Sequence, residues 1–295
     1  MRAEVRQAVA SALGQELVDI RSLSGGDIND AYRVRLADSR TVFVKTRADA
    51  DPRMFACEAR GLRWLADAEA LRVPEVLAVS DADSPGPHFL ALQYLAPGAP
   101  GRGYSEALGR GLAELHLASP EVGAGADAGL DHDNFIATLT QDNRPMADWS
   151  AFYGQRRLLP LAVRAIERAL APESWRPRFE RLVERLPELT GPPEPPARLH
   201  GDLWSGNVHS DERGQPCLID PAVYAGHREI DLAMLALFGG LDRRTLDAYN
   251  ERYALAPGHP ERQLLYQLYP LLVHVNLFGG SYVRSVERAL TRYLG

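Results

Sequence analysis

The sequence has almost no lysine: of its 33 basic residues, all but Lys45 are arginine. It has only two cysteines, Cys57 and Cys217, too few for a disulfide framework, so a reducing cytoplasm is the expected location. The most apolar run, over 232–241, is too short to span a membrane. Residues 1–14 alternate as an amphipathic helix does and lack the continuous apolar centre of a signal peptide. These absences argue against a secreted or membrane protein and against a membrane partner.

An excess of positive charge is also absent. With 39 acidic and 33 basic residues the net charge is −6, which argues against a nucleic-acid partner because phosphate backbones favour cationic surfaces. A small anion such as ATP is not excluded, since Mg²⁺, one lysine and backbone N–H groups can meet its charge locally. The composition, 45% apolar and 24% charged, is that of an ordinary globular protein.

The order of predicted elements divides the chain in two. The first third reads as a helix, strands, a second helix and further strands; the predicted ranges are 2–13, 18–46, 51–68, 73–80 and 88–95. Asp51 is the predicted N-cap of the second helix, and Pro52 is its first residue. After Pro97-Gly98 the pattern is mainly helical, over 105–119, 148–170 and 174–187. We therefore expect an α+β fold of two lobes, a small mainly β lobe over 1–96 and a larger mainly helical lobe over 97–295.

The segment from His200 to Asp231 carries the clearest chemistry. Asp202 precedes Asn207 in a D-x-x-x-x-N spacing, and a short apolar strand then ends at Asp220. Kinase catalytic loops supply a base and two Mg²⁺ ligands in this order. We assign Asp202 as the candidate base and Asn207 with Asp220 as the Mg²⁺ ligands, because hard cations prefer oxygen donors.

A transition-metal site offers an alternative interpretation of the same segment. His200, Asp202 and His209 are all ligand types, but the sequence supplies no further ligand pattern around them. His200 is better explained as a structural residue of the loop. The kinase interpretation also accounts for Asn207 and Asp220, which the metal interpretation does not use.

Lys45 is expected to bind ATP. It ends the strand TVFVK, and Glu58 follows thirteen residues later on the next helix, the arrangement in which a lysine–glutamate pair orients the α- and β-phosphates. A surface ion pair is the alternative, but arginine would serve there equally well in so arginine-rich a chain. A compact ammonium suits a crowded phosphate site better than a guanidinium.

Weaker signals surround this lysine. Gly25 and Gly26 form a predicted hairpin turn, where backbone can approach phosphates, with Asn29 as a further phosphate contact. The backbone of Gln93, Tyr94 and Leu95, at the end of a buried strand, is placed to contact the adenine edge. The alternative for the glycine turn is an ordinary hairpin without a phosphate contact. The alternative for the strand end is a buried connection without an adenine contact.

Residues around Asp220 and Trp204 bear on the acceptor. Pro221 predicts an extended backbone at Asp220. The stretch that follows is too short for a long activation loop, and this favours a small acceptor over a protein substrate that docks on such a loop. Trp204 is either a wall of the acceptor pocket or a core residue. Asp231, at the start of an apolar helix, is predicted to be an N-cap or a brace for the catalytic loop rather than a catalyst, and Arg228 is predicted to pair with Glu229.

With these residues in hand, the chain resembles the fructosamine/ketosamine-3-kinase family, relatives of aminoglycoside and choline kinases. The resemblance covers nearly the whole length and rests on the segments SGGDIN (24–29), FVK (43–45), LDHDNFI (130–136), RLLP (157–160), HGDLWSGN (200–207), IDPAVYAGHREIDLAM (219–234) and NLFGGSY (276–282).

The resemblance implies a protein-kinase-like fold and ATP- and Mg²⁺-dependent phosphorylation of the sugar 3-hydroxyl of a ketosamine, free or on a protein side chain, which starts deglycation. It also implies that Asp202 is the base and that Trp204 lies against the sugar. A kinase of another small metabolite, of the aminoglycoside or choline kinase type, is one alternative. A non-catalytic nucleotide-binding module is a second, although decayed kinases typically lose one of Lys45, Asp202, Asn207 and Asp220.

Overall fold

The computed structural model describes residues 1–23, 29–118, 120 and 127–295; the predicted turn with Gly25 and Gly26 lies outside them. The strands are β1 (Leu17–Leu23), β2 (Asp30–Leu36), β3 (Thr41–Thr46), β4 (Val76–Val79), β5 (Phe89–Gln93), β6 (Asn134–Ile136), β7 (Leu139–Gln141), β8 (Ala197–Leu199), β9 (Val208–Ser210), β10 (Pro216–Leu218) and β11 (Tyr224–Gly226). The α-helices are α1 (Ala3–Leu13), α2 (Met54–Ala66), α3 (Tyr104–Leu117), α4 (Trp149–Phe152), α5 (Leu159–Glu167), α6 (Trp175–Leu189), α7 (Glu229–Leu237), α8 (Arg243–Arg252), α9 (His259–Tyr266), α10 (Leu268–Phe278) and α11 (Val283–Leu294).

The chain forms two compact units. The first holds Met1–Tyr104 with Asn207–Ala222, and the second holds Ser105–Gly206 with Val223–Gly295. The predicted lobe over 1–96 thus describes most of the first unit but omits 97–104 and the later segment. The hairpin β9–β10 belongs with the first unit because Gly98 N donates to Ser210 O (2.9 Å) and Leu218 N donates to Arg72 O (2.9 Å).

The first unit is built on an antiparallel sheet in the order β1-β2-β3-β5-β4. Alternate residues of β3 face opposite sides, so Val42 and Val44 enter one core cluster with α1 while Phe43 packs against the cluster that contains α2. Lys45 lies opposite Leu90 at the centre of this sheet. A central strand between two helix-covered faces therefore holds the lysine rigidly.

The start of α2 differs from the prediction. The helix begins at Met54 and not at Pro52, and Arg53 is the residue before it. The Asp51 side chain accepts from Arg53 N (3.0 Å) and its carbonyl accepts from Met54 N (3.0 Å), so Asp51 forms a turn that precedes the helix. The rest of the helix, which carries Glu58, forms as predicted and ends at Ala66, two residues before the predicted end.

The second unit is mainly helical, with short strand pairs β6–β7 and β8–β11. The predicted helix over 148–170 begins at Asp148, whose side chain accepts from Ala151 N, and contains a π-helical turn over Tyr153–Leu158. That turn buries Arg157, which donates to Asn143 Oδ1 (2.6 Å) and lies over the ring of Tyr224 (4.1 Å to the centroid). Within the described residues, no helix is long and apolar enough to cross a membrane.

Candidate active site

The lone lysine lies at the centre of an ion-pair triad in the first unit. Lys45 Nζ donates to Glu58 Oε1 at 2.8 Å and to Asp220 Oδ1 at 2.5 Å. The Lys45 side chain is 5% exposed and that of Glu58 13%, whereas Asp220 is 44% exposed. The predicted Lys45–Glu58 pair is thus present and is not a surface ion pair, because the ammonium is almost fully buried.

The triad carries one positive and two negative charges. Burial by itself lowers the pKa of Lys45, but the charges of Asp220 and Glu58 outweigh it and the pKa of Lys45 is raised. Burial, together with the charge of Asp220, raises the pKa of Glu58 against the opposing effect of Lys45. Lys45 therefore stays charged, and the carboxylates leave the site with a surplus of negative charge that favours a divalent cation.

Asp220 has an unusual backbone. Its φ is +56°, in the left-handed region, so the expectation of an extended backbone before Pro221 is wrong. Aspartate tolerates this region better than most residues, and the contacts made on both sides hold it there. Asn207 Nδ2 donates to the Asp220 carbonyl (3.4 Å), Ile219 N donates to Asn207 O (3.1 Å), and the Asp220 carboxylate reaches Lys45.

The two predicted Mg²⁺ ligands are therefore neighbours in the first unit. The Asn207 amide nitrogen donates to the Asp220 carbonyl, so a cation held by this side chain would bind its amide oxygen. The partly exposed Asp220 carboxylate supplies a second hard oxygen donor. This donor set fits Mg²⁺ better than it fits a soft transition metal.

The weaker ATP contacts have mixed outcomes. Asn29 lies just before β2, and its buried Oδ1 has no hydrogen-bond partner among the described residues. Gln93 N donates to Glu75 O (2.8 Å), so that N–H is used within the first unit, and a contact of the Gln93 backbone with adenine stays a prediction. Tyr94 and Leu95 follow the end of β5, and their contact with adenine stays a prediction.

The loop that carries Asp202 lies in the second unit, and the side chain of Asp231 holds its backbone. The buried Asp231 carboxylate accepts from His200 N (2.7 Å) through one oxygen and from Gly201 N (3.0 Å) through the other. Gly201 has φ +80°, a conformation that favours glycine. The predicted bracing role of Asp231 is thus confirmed, and His200 takes a structural position, since its Nδ1 accepts from Asp202 N (3.3 Å).

The three loop residues that follow Gly201 differ in their exposure to solvent. Leu203 is fully buried and anchors the loop, which leaves Asp202 partly accessible and Trp204 41% exposed. The core interpretation of Trp204 is therefore wrong. Its indole lies over Gly206, where a Cβ atom would come within 2.3 Å of the ring, and it meets Phe238 edge-on at 6.1 Å. Gly206, the second glycine of HGDLWSGN, thus leaves the space that the Trp204 indole occupies.

Sequence reasoning missed the groups that hold Asp231 in turn. Buried His116 bonds Asp231 Oδ2 through Nε2 (3.3 Å) and the Tyr249 hydroxyl through Nδ1 (2.8 Å). Because a carboxylate only accepts, Nε2 carries the proton and the tyrosine hydroxyl donates to Nδ1. His116 precedes Asp231 by 115 positions in the sequence, so no local pattern links them.

We expect Asp231→Asn to lower kcat by about 10-fold, since loosening the loop displaces Asp202, and to lower the free energy of unfolding by about 1–3 kcal/mol. An amide can accept only one of the two backbone bonds and turns its NH₂ group toward the other donor. Steady-state kinetics and urea unfolding measure the two effects.

The matched control is Asp242→Asn. Asp242 also accepts a backbone bond, from Thr245 N (2.7 Å), but it is the N-cap of α8, and its other carboxylate oxygen accepts from Ser105 Oγ (2.7 Å). Because asparagine caps a helix about as well as aspartate, this variant should lose little stability and leave kcat nearly unchanged. Equal kcat losses in the two variants would contradict a specific bracing role for Asp231.

The predicted Arg228–Glu229 ion pair does not form. Arg228 pairs instead with Glu194 (2.7 Å), from the proline-rich loop, and Glu229 pairs with Arg262 (2.5 Å). Adjacent side chains at the start of α7 point to different neighbours, so sequence adjacency misled the prediction. These buried pairs attach α7, and with it Asp231, to the rest of the second unit.

The transition-metal alternative finds no support in the described parts of the chain. There, no group of three or more histidine, cysteine, aspartate or glutamate side chains is placed to hold a metal ion. His200 is fully buried and engaged with the loop backbone. The set His200, Asp202 and His209 is therefore not a metal site in this structure.

Comparison with known proteins agrees with this geometry. A family model described as fructosamine kinase matches residues 1–295. A "Probable ketoamine kinase" from Lactiplantibacillus plantarum is 38% identical over 279 residues, 94% of this chain and 95% of that protein. The chloroplastic protein-ribulosamine 3-kinase of Oryza sativa subsp. japonica is 36% identical over 284 residues, 95% of this chain and 80% of that protein.

Solved structures agree as well. A crystal structure assigned to a fructosamine-3-kinase of Thermobifida fusca has a TM-score of 0.89 at 38% identity and covers 100% of this chain and 99% of that chain. The choline kinase LicA of Streptococcus pneumoniae has a TM-score of 0.63 at 16% identity over 98% of this chain and 97% of that chain, which shows the fold alone. The fold is therefore protein-kinase-like.

Proposed function

The chain belongs to the fructosamine kinase family, and we propose that it transfers the γ-phosphoryl group of ATP to the sugar 3-hydroxyl of a ketosamine. It is a phosphotransferase with an alcohol group as acceptor. The observation that carries the kinase assignment is the buried Lys45, held by Glu58 at 2.8 Å and by Asp220 at 2.5 Å. The names of the relatives support the ketosamine as acceptor.

In the proposed reaction Asp202 receives the proton of the 3-hydroxyl. As the bond between that oxygen and the γ-phosphorus forms, the bond from phosphorus to the β,γ-bridging oxygen breaks and ADP leaves. The backbone bonds from His200 and Gly201 to Asp231 hold Asp202 in place while this happens. Lys45 binds the α- and β-phosphates, and Glu58 fixes the position of its ammonium.

Asn207 and Asp220 would hold Mg²⁺, which when bound neutralises charge on the β- and γ-phosphates. The surplus negative charge of the Lys45–Glu58–Asp220 triad supports this assignment. Without a divalent cation, two carboxylates would face the polyphosphate with one ammonium between them. Removing Asp220 would take away an Mg²⁺ ligand and an Lys45 partner together.

The acceptor is best tested by phosphoryl transfer from γ-labelled ATP to ribulosamines, fructosamines, erythrulosamines and aminoglycosides, with phosphorus NMR to identify the phosphorylated carbon. We expect a 3-phosphate on one or more ketosamines and release of the amine from that product. Transfer to aminoglycosides alone would favour a kinase of another small metabolite. ATP binding without transfer to any acceptor would favour a non-catalytic nucleotide-binding module.

Two further properties follow from the same assignment. The acceptor amine is either a free small molecule or a protein side chain, and neither a nucleic acid nor a membrane is needed for the reaction. The small number of cysteines, two in 295 residues, supports the cytoplasm as the location.

A further inference from the structure

The residues proposed to bind ATP and Mg²⁺ in the first unit come from two different parts of it. Lys45 lies on β3 and Glu58 on α2, whereas Asn207 directly precedes β9 and Asp220 follows β10 by two residues. The two candidate Mg²⁺ ligands therefore share the open end of the hairpin β9–β10. Each strand of this hairpin has three residues, and so short a pair is marginally stable at best by itself. The position of the ligands depends on what holds the hairpin.

One arginine holds this hairpin at two places. Arg72, in the segment between α2 and β4, donates through Nη1 to Asp211 Oδ2 (2.6 Å) and to Glu212 Oε1 (3.2 Å) at the turn. Its carbonyl accepts from Leu218 N (2.9 Å), two residues before Asp220. The side chain and the backbone of a single residue thus fix both the turn and the strand that leads to a candidate metal ligand.

The Asp211 carboxylate is the buried partner in this contact. Its side chain is 2% exposed, against 33% for Arg72. Oδ1 accepts from Arg213 N and Gln215 N (2.9 Å each), which closes the turn, and Oδ2 accepts from Arg72. A buried carboxylate that loses its cation keeps a charge where water solvates it poorly, so the turn would have to shift or open.

Residues 97–101 hold the hairpin from a second side. Gly98 N donates to Ser210 O (2.9 Å), and the approach is so close that a Cβ atom on Gly98 would lie 2.2 Å from the Asp211 carbonyl oxygen. This contact ties the hairpin to the segment that follows β5. Arg72 ties it to the segment that follows α2, the helix that carries the partner of the lone lysine. The hairpin is therefore fixed relative to both elements that border the lysine.

We propose that Arg72 is a positioning residue for Mg²⁺: it keeps the two candidate ligands at their distance from Lys45 and thereby sets the affinity for the metal–nucleotide complex. This inference rests on the proposed function and adds to it a residue outside the site. Asp220 Oδ1 lies 2.5 Å from Lys45 Nζ, so a small displacement of the hairpin would change that contact and the space left for a cation. Nucleotide without metal should depend little on Arg72.

The test is calorimetric binding of AMP-PNP, a non-hydrolysable ATP analogue, to the wild type and to Arg72→Met, once in EDTA and once in Mg²⁺. Methionine keeps much of the apolar stem and removes the charge and the donors. The ratio of the Kd in EDTA to the Kd in Mg²⁺ should fall by about 10-fold, the lower end of the effect of residues that orient metal ligands. The Kd in EDTA should stay nearly unchanged, because Lys45 and Glu58 remain.

A second variant and a control complete the design. Asp211→Asn keeps an oxygen for the two turn bonds but loses the ion pair with Arg72, so it should lower the ratio in the same direction. Arg40→Met is the matched control. Arg40 also belongs to the first unit and pairs with Asp38 (2.7 Å) at the turn between β2 and β3. It should leave the ratio as in the wild type.

Urea unfolding of the same variants separates positioning from folding. If Arg72→Met is less stable but keeps the wild-type ratio, the residue only stabilises the fold and the inference is wrong. If Arg72→Met does not fold, Asp211→Asn decides, and an unchanged ratio there overturns the inference.

The proposed function has its own outcome in this experiment. Absence of AMP-PNP binding by the wild type would contradict the proposed function itself. Binding that Mg²⁺ does not strengthen would contradict the metal assignment of Asn207 and Asp220, and the inference with it. Binding that Mg²⁺ strengthens equally in the wild type and in both variants would contradict only the role of Arg72.

Discussion

Replacing Asp202 by Asn is expected to lower kcat by about 10²–10⁴-fold, the usual effect of losing a general base. An amide at this position keeps the backbone bonds that shape the loop, including that from Asp202 N to His200 Nδ1. It cannot take the proton of the acceptor hydroxyl. ATP binding, measured by calorimetry, should change little, because Lys45, Glu58, Asn207 and Asp220 are untouched.

Asp202→Glu is the matched variant, since it keeps the carboxylate and displaces it by one methylene. It should retain more activity than Asp202→Asn if proton transfer is the main role of the residue. Turnover like that of the wild type in Asp202→Asn would remove the carboxylate from the mechanism. Equal losses in both variants, with weakened ATP binding, would point to a misfolded loop.

Lys45→Arg is expected to lower kcat/KM for ATP by about 10²–10³-fold, the range for losing one preorganised group that stabilises developing charge. Lys45 Nζ meets two carboxylates at once from a side chain that is 5% exposed. A guanidinium is larger and planar, and cannot take both contacts in that space without shifting Glu58 or Asp220. Steady-state kinetics with varied ATP measure the loss.

Arg47→Lys provides the reverse exchange two residues later. Arg47 forms an ion pair with Asp49, whose side chain is 77% exposed, so a lysine there should leave kinetics and stability nearly unchanged. Full activity in Lys45→Arg would mean that the single lysine of this chain has no special role and that its survival reflects composition alone.

The sequence predicted much of the site because its signals are local. The spacing from Asp202 to Asn207, the strand that ends in Lys45 and the helix that carries Glu58 all depend on residues close together in the chain. Strand alternation and turn residues likewise placed β1 to β5. The residue assignments of Asp202, Asn207 and Asp220 stay predictions until the variants are measured.

Errors arose where a neighbour in space outweighed a neighbour in sequence. Asp220 takes φ +56° despite Pro221, because Asn207 holds its carbonyl and Lys45 its carboxylate. Arg228 turns away from Glu229 toward Glu194, 34 residues before it. Local preferences of this kind are worth about 1 kcal/mol, which buried charged contacts readily exceed.

The sequence by itself determined the fold class, the presence of a kinase-type loop and the lysine that we propose as the phosphate-binding residue. Only the tertiary structure decided how that loop is held, through Asp231, His116 and Tyr249, and how the hairpin β9–β10 is held, through Arg72. Those groups come from separate parts of the chain. Their meeting depends on how these parts pack, a sum of many weak contacts that no short stretch of sequence specifies.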